Sequence, residues 1–187
     1  MRRLFAMILG LCMLLVGCSP EEGGVESGMR LRDRMLACKS CEFTADLTVD
    51  FGENQYSFTL GCKAKNDGTV EFTVVSPETI AGISGRIDNR LGALSFDETV
   101  LAFPLIADGE NAPITAPWLF WKALLGGYIR AAGEDGQFMR LTIDDSFNGE
   151  NVQVDIWLNE NNDPVSAEIG LHGKVILFLK ISSFQIL

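Results

Sequence analysis

From Phe43 to Phe51 apolar and polar residues alternate: Phe43, Ala45, Leu47, Val49 and Phe51 share one face, and Thr44, Asp46, Thr48 and Asp50 take the other. After Gly52-Glu53-Asn54 the alternation returns in Tyr56, Phe58, Leu60 and Cys62. Beyond the turn Asn66-Asp67-Gly68, Val70, Phe72 and Val74 make a third row. A period of two with one wet and one dry face predicts a meander of antiparallel strands. Less regular strands follow around residues 83–88, 92–97 and 99–103. Three more rows are Met139, Leu141 and Ile143; then Val152, Val154, Ile156 and Leu158; then Val165, Ala167, Ile169 and Leu171. The last strand, Lys174 to Phe184, is apolar on both faces in its first half. A sheet of about ten or eleven strands cannot stay flat and must curl.

The pattern breaks once, at "TAPWLFWKALLGG". Thr115 suits a cap, Pro117 the first turn and Gly126 the exit, which predicts a helix. Between its ends only Lys122 is polar, and a helix apolar nearly all round must be buried or face an apolar partner. The sheet's dry face therefore curls around this helix. A shorter amphipathic helix is predicted over Met29 to Ala37, with Leu31 and Met35 on one face. Ser19 to Gly28, rich in Pro, Glu, Gly and Ser, reads as a flexible tether.

Upstream lies "MRRLFAMILGLCMLLVGCSPEE". Arg2 and Arg3 precede an apolar run from Leu4 to Val16, too short for a spanning helix of about twenty residues. A charged start, a short apolar middle and small residues before a cut describe a secretory signal peptide. Leu15, Val16, Gly17 and Cys18 resemble the lipobox of bacterial lipoproteins. That resemblance implies cleavage after Gly17 and a diacylglycerol thioether on Cys18. The expected organisation is a leader over 1–17, a tether over 18–28 and one domain over 29–187. The mature protein is then held by its lipid on a bacterial envelope membrane: the outer face of the cell membrane, or the outer membrane where there is one.

Charge narrows the partners. The leader carries two arginines and no acid, so 15 basic residues become 13 against 25 acidic ones, a formal charge of −12. Such a surface repels phosphate backbones and disfavours nucleic acid. Cys38, Cys41 and Cys62 remain once Cys18 is used. Export permits a disulfide. The spacing expects Cys41–Cys62 across adjacent strands, with Cys38 as the alternative partner. The CxxC at Cys38–Cys41 precedes an alternating strand rather than opening a βαβ unit, which speaks against a redox site.

The order of elements resembles the lipoprotein-carrier superfamily of LolA, LolB and the mycobacterial LppX type. The resemblance spans residues 29–187. It rests on an amphipathic helix, three long meander strands, "VVSPETIAGISGRI", an apolar helical insert and a closing "VILFLKISSFQIL". It implies an α+β, mainly β fold: an unclosed antiparallel half-barrel whose concave apolar face is covered by short helices and holds acyl chains. Phe43, Leu47, Phe58, Phe72, Trp118, Trp121 and Leu125 are the expected lining. On physical grounds the same side chains serve either a filled core or a cleft; the resemblance favours the cleft.

Signals for catalysis are thin. Asp144, Ser146, Asn148, Gly149 and Asp155 have the spacing of a calcium loop, but a true one ends in a glutamate between helices. Asn148-Gly149 between alternating runs reads instead as a hairpin turn. His172, the only histidine, stands at a predicted turn beside Gly173 without a nucleophile nearby in sequence. The expected protein is no enzyme, carries no cofactor or metal, and binds an acyl chain. The alternative is a scaffold of the same fold with no ligand.

Overall fold

The computed structural model describes residues 22–187 apart from 51, 89–90, 98, 104–105, 108–109, 112 and 147–150. Its centre is one sheet of eleven antiparallel strands in the order β6-β5-β4-β3-β2-β1-β13-β12-β11-β10-β9. In chain order these are β1 (Ser40–Asp50), β2 (Gln55–Lys65), β3 (Val70–Ser76), β4 (Ser84–Ile87), β5 (Gly92–Phe96) and β6 (Thr99–Phe103). A separate small pair follows, β7 (Ile106–Ala107) with β8 (Glu110–Asn111), and the sheet resumes with β9 (Tyr128–Asp135), β10 (Phe138–Asp144), β11 (Val152–Leu158), β12 (Pro164–Leu171) and β13 (Lys174–Ile186). Strands β6 and β9 end the sheet without pairing, so it is an unclosed half-barrel, as the carrier resemblance implies.

The alternating rows became the strands for the expected reason. Phe43 lies opposite Cys62, Cys62 opposite Phe72, Phe72 opposite Gly85 and Gly85 opposite Leu94, so one register row crosses five strands on the inner face. Strand β1 closes the meander by pairing with the final strand β13, Leu47 opposite Leu179. Strand β9 has no counterpart among the alternating rows. Its sequence YIRAAGED lacks a regular apolar face because it is an edge strand with most positions partly or fully exposed.

Two helices fill the concave side: α1 (Glu22–Ala37) and α2 (Ala116–Gly126). Helix α2 follows a 3-10 turn, Pro113–Thr115. Thr115 stands at the N-cap as expected, but it keeps helical backbone angles and its side chain makes no capping bond. Pro117 does sit in the first turn. Helix α1 corrects the tether, because the helix starts at Glu22 rather than Met29. The glycines that suggested flexibility serve close approach. A Cβ at Gly24 would lie 2.9 Å from the Cβ of Ala132, and one at Gly28 would lie 2.9 Å from Cδ1 of Ile129. At Gly24 only hydrogen lets α1 settle onto β9, and at Gly28 a side chain would have to push the ends of Ile129 and Leu141 aside. Among the described residues no helix is long and apolar enough to cross a membrane.

Candidate functional site

The expected lining residues converge on the space between α2 and the sheet. Phe43, Leu47, Phe72, Trp118 and Trp121 are buried, while Phe58 and Leu125 are partly buried and pack against them. Phe43 meets Phe120 edge to face with ring centres 5.7 Å apart, the arrangement an aromatic quadrupole prefers. The ring of Phe72 lies over Gly85 so closely that a Cβ there would stand 2.2 Å from it. These side chains touch one another rather than an open cleft. Trp118, Leu119, Phe120 and Trp121 are fully buried, so α2 occupies the half-barrel with its own apolar side chains.

Helix α2 is fastened at its periphery by polar contacts. Trp121 donates its indole N–H to the Lys65 carbonyl at 2.7 Å. Arg32, from α1, donates to the carbonyls of Leu124 at 2.8 Å and Gly127 at 2.5 Å, where α2 ends. A cation at a helix C-terminus satisfies orphan carbonyls and opposes the helix dipole. Burial lowers the Arg32 guanidinium from its usual range, and Asp145 and Asp33 oppose that change. Lys122 pairs with Asp145 at 2.6 Å and lies over the Trp118 ring at 5.8 Å. Burial pushes the Asp145 carboxyl up, while the Lys122 hydrogen bond draws it back. None of these contacts comes from the alternation that marks the strands, and only the lone Lys122 in an apolar helix hinted at one.

A large hollow among the described residues lies on the opposite, outer face of the sheet. It is a groove of about 730 Å³ that crosses from β13 to β6, and no residue of α1 or α2 lines it. Gly61 leaves its floor open: a Cβ there would meet only Val75, at 3.8 Å. One wall is the register row Glu42, Lys63, Glu71 and Arg86, with Lys63 on Glu42 at 2.8 Å and Arg86 on Glu71 at 3.2 Å; Lys65, outside the row, also pairs with Glu71 at 2.7 Å. The Lys65 hydrogen bond leads the effects that hold the Glu71 carboxyl low. Paired surface charges of this kind contribute little stability.

The disulfide expectation is overturned, since Cys38, Cys41 and Cys62 are free and buried. Cys41 faces Ala64 and Cys62 faces Phe43, which makes the two thiols diagonal neighbours. Diagonal positions stand about 7–8 Å apart, beyond the roughly 6.8 Å between Cα atoms that a disulfide spans. Cys38, the alternative partner, instead donates to the Met35 carbonyl at 3.0 Å. Burial pushes the Cys41 thiol up to about 12, with neighbouring Cys38 adding to it, and burial alone pushes Cys62 up to about 12.

The other singled-out residues scatter. Asp155 lies within β11 and is hydrogen-bonded by Thr142 at 2.5 Å and Gln153 at 3.0 Å, with Arg140 at 3.0 Å. Those partners explain it without calcium. Asp144 accepts from the Ser146 hydroxyl at 2.8 Å. Strands β10 and β11 pair antiparallel up to Asp144 opposite Gln153, while Asn148-Gly149 itself lies outside the described residues, as do the leader and Cys18. His172 has a positive φ of 50° at the turn before β13. Trp157 bonds Asp135 and stacks near Arg140 on the outer face.

No protein-family model matches the chain, and no curated protein sequence matches it. Among solved structures it is similar to a LolA superfamily protein of Nitrosomonas europaea, at 11% identity and a TM-score of 0.45 over 86% of this chain and 93% of that one. It is similar to the lipoprotein LppX of Mycobacterium tuberculosis, at 10% identity and a TM-score of 0.40 over 84% and 93%. A chain in the complex of the CwlD amidase with the GerS lipoprotein of Clostridioides difficile is similar at 14% identity, with a TM-score of 0.43 over 91% and 98%.

Proposed function

We propose that this protein is a lipid-anchored, non-catalytic envelope protein whose half-barrel takes up an acyl chain in the space α2 occupies. One observation carries the reading: the apolar concave sheet is covered by a helix that is itself apolar nearly all round. Such a helix and an acyl chain present the same apolar chemistry to the sheet, so the concave face suits either. Beyond its apolar burial, α2 is tied to the rest of the fold by the contacts of Arg32, Lys122 and Trp121. The anchor follows from the lipobox at Leu15–Cys18.

Uptake therefore means displacement of α2. Trp118 and Trp121 are already dry, so an entering chain cannot drive water from their rings; it must push them off the sheet. Titration with a fatty acid or phospholipid is expected to shift tryptophan emission to the red. Trp157, bonded to Asp135 on the outer face, gives a constant background. An unchanged spectrum together with no bound lipid would contradict the reading. The filled interior favours a second reading in that case: an anchored scaffold that works through its surface.

A further inference from the structure

Helix α1 has two apolar faces, and the fold uses only one. Gly24, Ser27, Gly28, Leu31 and Met35 are buried against the sheet and α2. Val25, Met29 and Leu36 form a second stripe at positions i, i+4 and i+11, and they are 40%, 44% and 50% exposed. At 100° per residue these three project within about 40° of one another. Arg32 belongs to the same stripe by spacing, but its guanidinium is drawn away to the carbonyls that end α2. The polar residues Glu26, Arg30 and Asp33 fall on the far side of the stripe.

The start of α1 fixes where this stripe sits. With lipid on Cys18, only four peptide steps separate the anchor from Glu22, a reach of about 14 Å at full extension. The first turns of α1 cannot swing free, because Gly24 and Gly28 hold them against β9 and β10. Charge agrees. The helix carries Glu22, Glu26 and Asp33 against Arg30, Arg32 and Arg34, a net charge of zero, in a mature chain of −12. It is a surface that anionic headgroups do not repel.

We propose that the exposed stripe Val25–Met29–Leu36 docks α1 lengthwise into the interface of the bilayer that holds the protein's own lipid. This rests on the reading of Cys18 as the anchor. Helices of this kind lie with their apolar face about 5–10 Å into the headgroup boundary. The lipid supplies the local concentration that so short a stripe lacks alone. Docked this way, the domain has a fixed orientation on the membrane instead of hanging from a tether.

The test uses the full mature lipoprotein in vesicles of phosphatidylethanolamine and phosphatidylglycerol. Met29→Cys and, separately, Val25→Cys are labelled with an environment-sensitive dye under native conditions, where the three native thiols are buried. Ser182→Cys, exposed in β13, is the control. Both stripe labels are expected to shift to the blue and lose most of their emission to nitroxide-bearing lipids, while the control keeps its emission. Intact mass of the amino-terminal peptide reports acylation separately. Acylated, vesicle-bound protein with unquenched stripe labels overturns the docking alone. An unmodified Cys18 overturns the anchor and the docking with it. Shielding that appears without vesicles and grows with protein concentration assigns the stripe to a second copy and overturns the proposal.

Discussion

From β10 round to β3 the inner face of the sheet lies under α1 and α2, and most of its residues are dry: Ile143, Ile156, Ala45, Leu60 and Phe72 are all at most 3% exposed. At β5 and β6 the same face continues in register, Gly85 opposite Leu94 and Leu94 opposite Leu101, yet Leu101 is 63% exposed and Phe96 57%. One sheet thus carries two kinds of apolar residue. Under the helices an apolar side chain is part of the core; beyond them it is surface. Sequence alternation assigns a residue to a face, and the helices decide whether that face is wet.

The largest contrast expected is in stability. Phe120→Ala removes a fully buried ring from α2 and should cost about 3–5 kcal/mol in urea denaturation. Leu101→Ala, on the same face of the sheet, should stay within about 0.5 kcal/mol of the parent. Equal losses at the two sites would mean that β6 is covered and would erase the distinction.

That contrast also shows what was legible in the sequence. The meander strands were readable because Phe43, Phe58 and Phe72 alternate with polar residues on a half-wet sheet. Helix α2 was readable from its Pro117 start, Gly126 end and apolar run. The amino-terminal half of α1 was not, since Gly24 and Gly28 are poor helix formers by propensity and win their place only through tertiary contact with Ala132 and Ile129. Strand β9 was hidden for a related reason: an edge strand buries little, so nothing enforces alternation. The seven expected lining residues do come together, but sequence could not say whether α2 or a ligand fills the space between them. The Arg32, Lys122 and Trp121 contacts needed the three-dimensional arrangement, because their partners are backbone carbonyls or distant in the chain.

A smaller effect should follow pH on the outer face of the covered region. Burial alone would raise the Asp155 carboxyl, but hydrogen bonds from Thr142, Arg140 and Gln153 outweigh it and hold the group below its ordinary range. A carboxyl depressed in the folded state contributes stability that is present above the unfolded value near about 3.9 and lost as pH falls through the lower folded value. Asp155→Asn is therefore expected to cost about 1–3 kcal/mol at neutral pH and progressively less through the acid range. A constant difference from neutral to strongly acid pH would show that the charge of Asp155 plays no part.

The account's central claim is that α2 and an acyl chain compete for one space, and native mass spectrometry tests it most directly. Delipidated protein and its Lys122→Met variant are mixed with a long-chain fatty acid at equal concentration. The variant keeps an apolar side chain near Trp118 but loses the ion pair with Asp145. Loosening α2 by about 2 kcal/mol raises apparent affinity by about 30-fold where the open form is rare. The account predicts a single fatty-acid adduct on the parent and a clearly larger bound fraction on the variant. Folded protein of both kinds without any adduct would contradict it and leave the half-barrel as a filled scaffold.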